Sequence, residues 1–99
     1  MNEKDEDGET ALHIAARNSY KEIAEILVSH GANVNEKTKD GKTALHYAAR
    51  DNCEKIAEVL ISHGANIDEK NKYGETALCI AKLLSHTKTE KVLISHGAK

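Results

Sequence analysis

"TALHIAAR" at residues 10–17 returns as "TALHYAAR" at residues 43–50, and its opening letters return once more in "TALCIAK" at residues 76–82. Gly8, Gly41 and Gly74 share one spacing of 33, and so do His30, His63 and His96. Residues 8–40 agree with 41–73 at 20 of 33 positions, and residues 74–99 agree with 41–66 at 13 of 26, which chance does not give. A fixed period of this size means supersecondary units, each too small to bury its own apolar face and stable only against a neighbour.

Each block reads as two helices and a loop. Thr10, Thr43 and Thr76 stand where an N-cap hydroxyl accepts an orphan backbone N–H, and the segments that follow are strong helix formers. Ser19, Asn52 and Ser85 come about two turns later, Asn being a residue that takes the left-handed conformation at a helix end. From residue 21, "KEIAEILVSHG" sets Ile23, Ile26 and Leu27 at i, i+3 and i+4, a stripe repeated by Ile56, Val59 and Leu60. Gly31, Gly64 and Gly97 are left-handed stops, each preceded by a His where positive charge suits a helix C-terminus. "ANVNEKTKDGK" (32–42) and "ANIDEKNKYGE" (65–75), rich in Asn, Asp and Gly, predict extended turns that project like fingers.

Composition narrows the function classes. Fourteen Lys and Arg against sixteen Asp and Glu give a net charge of −2, too balanced for a dedicated nucleic-acid or membrane-surface binder. Lys37, Lys39 and Lys42 are interleaved with acids and form no basic stripe. Three Tyr are the only aromatic residues besides His, so the core must come from Ala, Leu, Ile and Val. No apolar run approaches the roughly 18 residues of a membrane span, and "MNEKDEDGE" (1–9) lacks the basic start and apolar stretch of a secretion signal. An intracellular setting, cytoplasmic or nuclear, is expected. Cys53 and Cys79 fall at non-equivalent places in the repeat and form no CxxC pair, so reduced thiols are expected.

Six histidines raise the question of a metal. Equivalent helices of neighbouring units should lie about 8–10 Å apart, whereas zinc needs each imidazole nitrogen at about 2.1 Å. His30, His63 and His96 therefore form a ladder rather than a cluster, and neither a metal nor another cofactor is expected. Catalysis is not expected either, since no nucleophile elbow, phosphate loop or recognisable set of Cys, His and acid is present.

The pattern G-x-T-A-L-H-x-A-A, followed by E-I-A-x-I-L-V-x-x-G-A-N-V-N, resembles the ankyrin repeat over residues 8–99. The resemblance implies an all-α solenoid of stacked helix-turn-helix units with projecting hairpin-like finger loops. The expected organisation is one domain over residues 1–99: a partial leading finger (1–7), repeats at 8–40 and 41–73, and a C-terminal capping repeat (74–99). Ala11, Ala44 and Ala77 stand in place of the usual Pro, and Ser19-Tyr20 and Asn52-Cys53 replace the Gly-His that usually closes the first helix. His13 and His46 match the family's structural histidine, which links helix start and loops; Cys79 takes that place in the third unit and must lose part of the link. In that unit Lys82, Glu90 and Thr89 replace Ala49, Ala57 and Ile56, polar changes expected of an outward-facing cap. Met1, Asn2, Glu3 and Lys4 align with Val34, Asn35, Glu36 and Lys37, so the chain starts within a finger. Repeat one has no obvious polar cap, and either excision from a longer array or weak self-association through that face is expected, with a monomer as the other outcome.

The resemblance also implies a non-catalytic protein-binding module, using the fingers and the concave side of the first helices. A structural spacer or self-associating segment of a longer array is the alternative. The positions matching the family's variable contact sites are Glu6, Asp7, Glu9, Ile14, Arg17 and Asn18 in the first unit. Lys39, Asp40, Lys42, Tyr47, Arg50 and Asp51 follow in the second, and Lys72, Tyr73, Glu75, Ile80, Leu83 and Leu84 in the third. Positions that vary while their neighbours repeat are not needed for the shared core, and Tyr and Arg are favoured interface anchors. Tyr47, Arg50 and Tyr73 are expected at the centre, with Arg17 beside them. Against this, Arg17 and Arg50 can be merely solvated charges, and Tyr47 can be packed between helices. Leu83 and Leu84 form either an exposed apolar spot or, as favoured here, a pair buried by a shift of the irregular last helices into volume left by Thr89. The acidic run Glu3, Asp5, Glu6, Asp7 and Glu9 either steers a basic partner or is simply solvated. Asn35 resembles the loop asparagines that some ankyrin repeats offer for hydroxylation. The sequence names no partner.

Overall fold

The computed structural model describes residues 3–99, so Met1 and Asn2 of the expected leading finger lie outside the described residues. Six helices follow in order: α1 (Ala11–Arg17), α2 (Lys21–Ser29), α3 (Ala44–Arg50), α4 (Glu54–Ser62), α5 (Ala77–Leu83) and α6 (Thr87–Ser95). There is no strand among the described residues. Helices α1, α3 and α5 pack side by side as an inner layer, α2, α4 and α6 as an outer one. Leu12, Leu45, Leu60, Leu93 and Ile56 fill the space between layers, each contributing about 1.5–3 kcal/mol by leaving water. Ala16, Ala48, Ala49 and Ala57 are fully buried and allow the close approach of neighbouring helices that larger side chains would prevent.

The expected turns form. Ser19, Asn52 and Ser85 adopt φ of 60°, 53° and 59°, reversing the chain between the two helices of each unit. Each finger tip is set by one short polar side chain. The Asp5 carboxylate accepts the N–H groups of Asp7 and Glu9, Thr38 Oγ1 those of Asp40 and Lys42, and Asn71 Oδ1 those of Tyr73 and Glu75. Successive fingers then join through Lys39 N–H to the Asp7 carbonyl (3.1 Å) and Lys72 N–H to the Asp40 carbonyl (2.9 Å).

The two signature histidines hold fingers to helices. His13 Nδ1 accepts the Thr10 backbone N–H at 2.9 Å, which places the ring proton on Nε2, where it is donated to the Glu36 carbonyl at 2.8 Å. His46 repeats this with Thr43 and the Glu75 carbonyl. Cys79 keeps only the local half, its N–H and thiol meeting the Thr76 hydroxyl.

Two expectations about the third unit need correction. Thr89 does not face outward: it is fully buried, and its hydroxyl donates to Asn52 Oδ1 at 2.9 Å, across the junction with the preceding unit. The reason is positional, since Ile56 at the equivalent place is buried against the first unit while Ile23, in the first unit itself, is 49% exposed. Lys82 and Glu90 do lie on the trailing side, Lys82 exposed and Glu90 half-buried. Nor does the last helix pair shift to cover its leucines. Helices α5 and α6 keep the lengths of their counterparts, and Leu83 stays 75% exposed and Leu84 45%.

Candidate functional site

Thr-capped first helices of equal length bring residues of the same repeat position into one row along the inner layer. Ile14, Tyr47 and Ile80 form one line of this face, Arg17, Arg50 and Leu83 the next, and Asn18, Asp51 and Leu84 cap the helices. The finger residues stand beside them.

The structure divides the expected residues into groups with different surroundings. Glu9 is buried, with one carboxylate oxygen 3.2 Å from the Arg17 guanidinium and the other accepting the Tyr47 hydroxyl at 2.9 Å. Glu9 is thus packed rather than projecting, and of the two roles open to Tyr47 the structure shows the packed one. Tyr47 is only 6% exposed, its ring edge-on to His13 and covered by Arg50 at 4.9 Å. Burial and the Glu9 carboxylate push its phenol up to about 12, so the hydroxyl remains a donor. Asn18 donates from its side chain to the Ile14 carbonyl of its own helix.

On the fingers, Asp40 and Lys72 pair with each other at 3.0 Å, an interaction that holds the Asp40 carboxyl below its ordinary range. Lys72 also lies 5.3 Å from the centre of the Tyr73 ring, which is 63% exposed. Lys39 and Asp7 are exposed side chains whose backbones join the fingers. In the acidic run, Asp5 and Glu9 are committed to internal bonds, leaving Glu3, Glu6 and Asp7 on the surface.

Seven of the expected residues converge. Lys42, Tyr47, Arg50, Glu75, Leu83 and Leu84 line one cleft of about 170 Å³ between the second and third units, with Ile80 among them. His46 and Asn71 complete its wall and were not anticipated there. A signal for Asn71 existed: Asp5, Thr38 and Asn71 occupy one repeat position, and all are residues that cap turns through a side-chain oxygen.

Elsewhere, Asn35 is tied into the fold, its amide donating to the Gly64 carbonyl and accepting the Asn66 N–H at 2.7 Å. His30, His63 and His96 each bond back to a carbonyl one turn earlier in their own helix. Among the described residues no three of His, Cys, Asp and Glu are grouped to hold a metal, and no helix is long and apolar enough to cross a membrane.

A family model for ankyrin repeats (3 copies) matches residues 1–71 and 37–99, which together span the chain. No match is found among the curated proteins.

Proposed function

The chain belongs to the ankyrin-repeat family, whose members generally serve as protein–protein interaction modules, and on that premise we propose that it binds a protein partner through its fingers and the concave row of its first helices. The reading rests above all on Leu83, a leucine 75% exposed at the end of helix α5, at the position where the other units carry Arg17 and Arg50. Scattered apolar residues are normal on surfaces, but here Leu84 and Ile80 adjoin it in a cleft walled by cations. The module works by binding rather than by catalysis, in the cytoplasm or nucleus, where Cys53 and Cys79 stay reduced. Affinity capture with the chain and with an Arg50→Ala/Tyr73→Ala/Leu83→Ala variant tests it. Loss of captured partners with an unchanged circular dichroism spectrum supports the reading, and retention of all of them overturns it.

A second reading, docking or self-association through the first unit's leading face, has its own support. Tyr20, Ile23 and Ile26 are all about half-exposed there, whereas of their counterparts Ile56 is buried against the preceding unit and Cys53 and Val59 are partly buried.

A further inference from the structure

The two junctions of the concave face are built from equivalent positions but end differently. At the first, Glu9 sits between Arg17 and the Tyr47 hydroxyl and satisfies both. At the second the equivalent trio is Lys42, Arg50 and Ile80, so the carboxylate has become a cation and the hydroxyl a hydrocarbon. Arg50 turns to its neighbour Asp51 through a long contact of 3.3 Å from Nε, and Lys42 makes no ion pair among the described residues. Both cations stay against the same ring, at 5.9 Å and 4.9 Å from the centre of Tyr47. The one acid lining the cleft, Glu75, is held by the Asn71 amide at 2.9 Å. The second junction therefore has two cations, Lys42 and Arg50, and no carboxylate that pairs with both, where the first has the single cation Arg17 held by Glu9.

Its other wall is apolar. Leu83 and Leu84 replace an Arg and an Asp, and the opening of about 170 Å³ compares with cavities of about 150 Å³ that hold one benzene-sized group. Resting on the concave-face reading above, we propose that this cleft recognises an acidic, apolar-anchored protein segment. One large apolar side chain seats against Ile80, Leu83 and Leu84, and an adjacent carboxylate lies between Lys42 and Arg50, pairing with Arg50 as Glu9 pairs with Arg17 at the first junction. The chain's own Glu9 is the template for that contact. Desolvation by the apolar anchor strengthens the ion pair, and the pair fixes the direction in which the segment lies.

The test is selection of a phage-displayed random dodecapeptide library on the full chain. Enriched peptides are then measured by fluorescence anisotropy against the wild type, Leu83→Ser, Lys42→Glu, and Arg17→Ala/Tyr73→Ala. Leu83 is exposed and Lys42 half-buried, so their variants are expected to fold, which circular dichroism checks. The expected result is a set of sequences pairing Leu, Ile, Met or Phe with Asp or Glu within one helical turn. Leu83→Ser weakens them about tenfold. Lys42→Glu weakens them comparably, because it supplies Arg50 with an internal carboxylate, and added salt weakens them further. Enriched peptides without an acid, or peptides indifferent to both cleft variants but lost on Arg17→Ala/Tyr73→Ala, would overturn the cleft proposal and leave the concave-face reading standing. A library yielding no specific peptide would count against both.

Discussion

The Tyr47 hydroxyl donates to the Glu9 carboxylate at 2.9 Å, joining helix α3 to the residue just before the cap of α1, with Arg17 on the other carboxylate oxygen. Residues 38 apart thus share one buried polar group at the junction of the first two units. Hydrogen bonds to charged acceptors contribute about 1.5–3 kcal/mol, and Arg17 remains to compensate Glu9 when the hydroxyl is gone. Tyr47→Phe is therefore expected to destabilise the chain by about 1–2 kcal/mol, lowering Tm by several degrees. Thermal unfolding followed by circular dichroism checks this, and a Tm equal to that of the wild type would show that the bond adds nothing.

How much of this was legible in the letters depends on what each residue reports. The helices and their stops were legible, because caps, apolar spacing and left-handed turn residues act within a few positions of themselves. Ser19 and Ser85 take the same left-handed turn as Asn52, and the repeat alignment already assigned them that place. The direction in which a polar substitution faces was not legible at Thr89. A single block does not say which of its sides meets the previous unit, whereas the contrast between exposed Ile23 and buried Ile56 does. Tyr47 was half legible: its repeat position puts it on the concave row, but its burial depends on Glu9 in the other unit. Leu83 and Leu84 were identified as the alternative to buried leucines, and no periodicity could decide between them.

Protonation should weaken the finger latches at mildly acidic pH. Burial, the largest cause, pushes both His13 and His46 below the ordinary imidazole value of about 6.5. The geometry agrees, for a second proton on Nδ1 would face the backbone N–H of Thr10 or Thr43. In the unfolded chain these rings bind protons more readily than in the fold. Their contribution is therefore complete above about pH 6.5 and falls as pH drops through that value toward the depressed folded one. Glu36, Asp40 and Glu69, held below their ordinary values chiefly by hydrogen bonds from Lys4, Lys72 and Lys37, act only at lower pH. Urea midpoints between pH 7.5 and 5 should decline on the acid side. A flat profile over that interval would mean that neither ring resists protonation.

Glycines at one repeat position should respond differently to the same change. Gly8 and Gly41 adopt φ of 79° and 74°, and a Cβ there would stand 2.8 Å and 3.0 Å from the backbone nitrogens of Lys39 and Lys72 in the next finger. Gly74 has a similar φ of 77° but open space around it. Gly74→Ala thus meets only the left-handed penalty of about 1–2 kcal/mol. Gly8→Ala and Gly41→Ala must in addition displace backbone that carries the inter-finger hydrogen bonds, so both should cost clearly more. Ser19→Gly runs the other way, relieving the strain of a serine at φ 60° and stabilising by up to about 1 kcal/mol. Chemical denaturation of the four variants ranks them, and equal losses at Gly8 and Gly74 would mean that the close finger approach carries no energy.

The leading face offers a prediction with its own internal control. Ile23 and Ile56 are the same residue at the same repeat position, one 49% exposed and the other fully buried. Ile56→Ser should cost about 2–5 kcal/mol, since it empties a packed junction and buries a hydroxyl. Ile23→Ser should change monomer stability by no more than about 0.5 kcal/mol, as a surface substitution. If the face formed by Tyr20, Ile23 and Ile26 drives self-association, Ile23→Lys/Ile26→Lys removes it by placing like charges opposite each other on two copies. Sedimentation velocity over a range of concentrations separates the cases. A wild type whose sedimentation coefficient rises with concentration, beside a variant whose coefficient does not, assigns the association to this face. A wild type that stays monomeric at the highest concentration rules out self-association through this face.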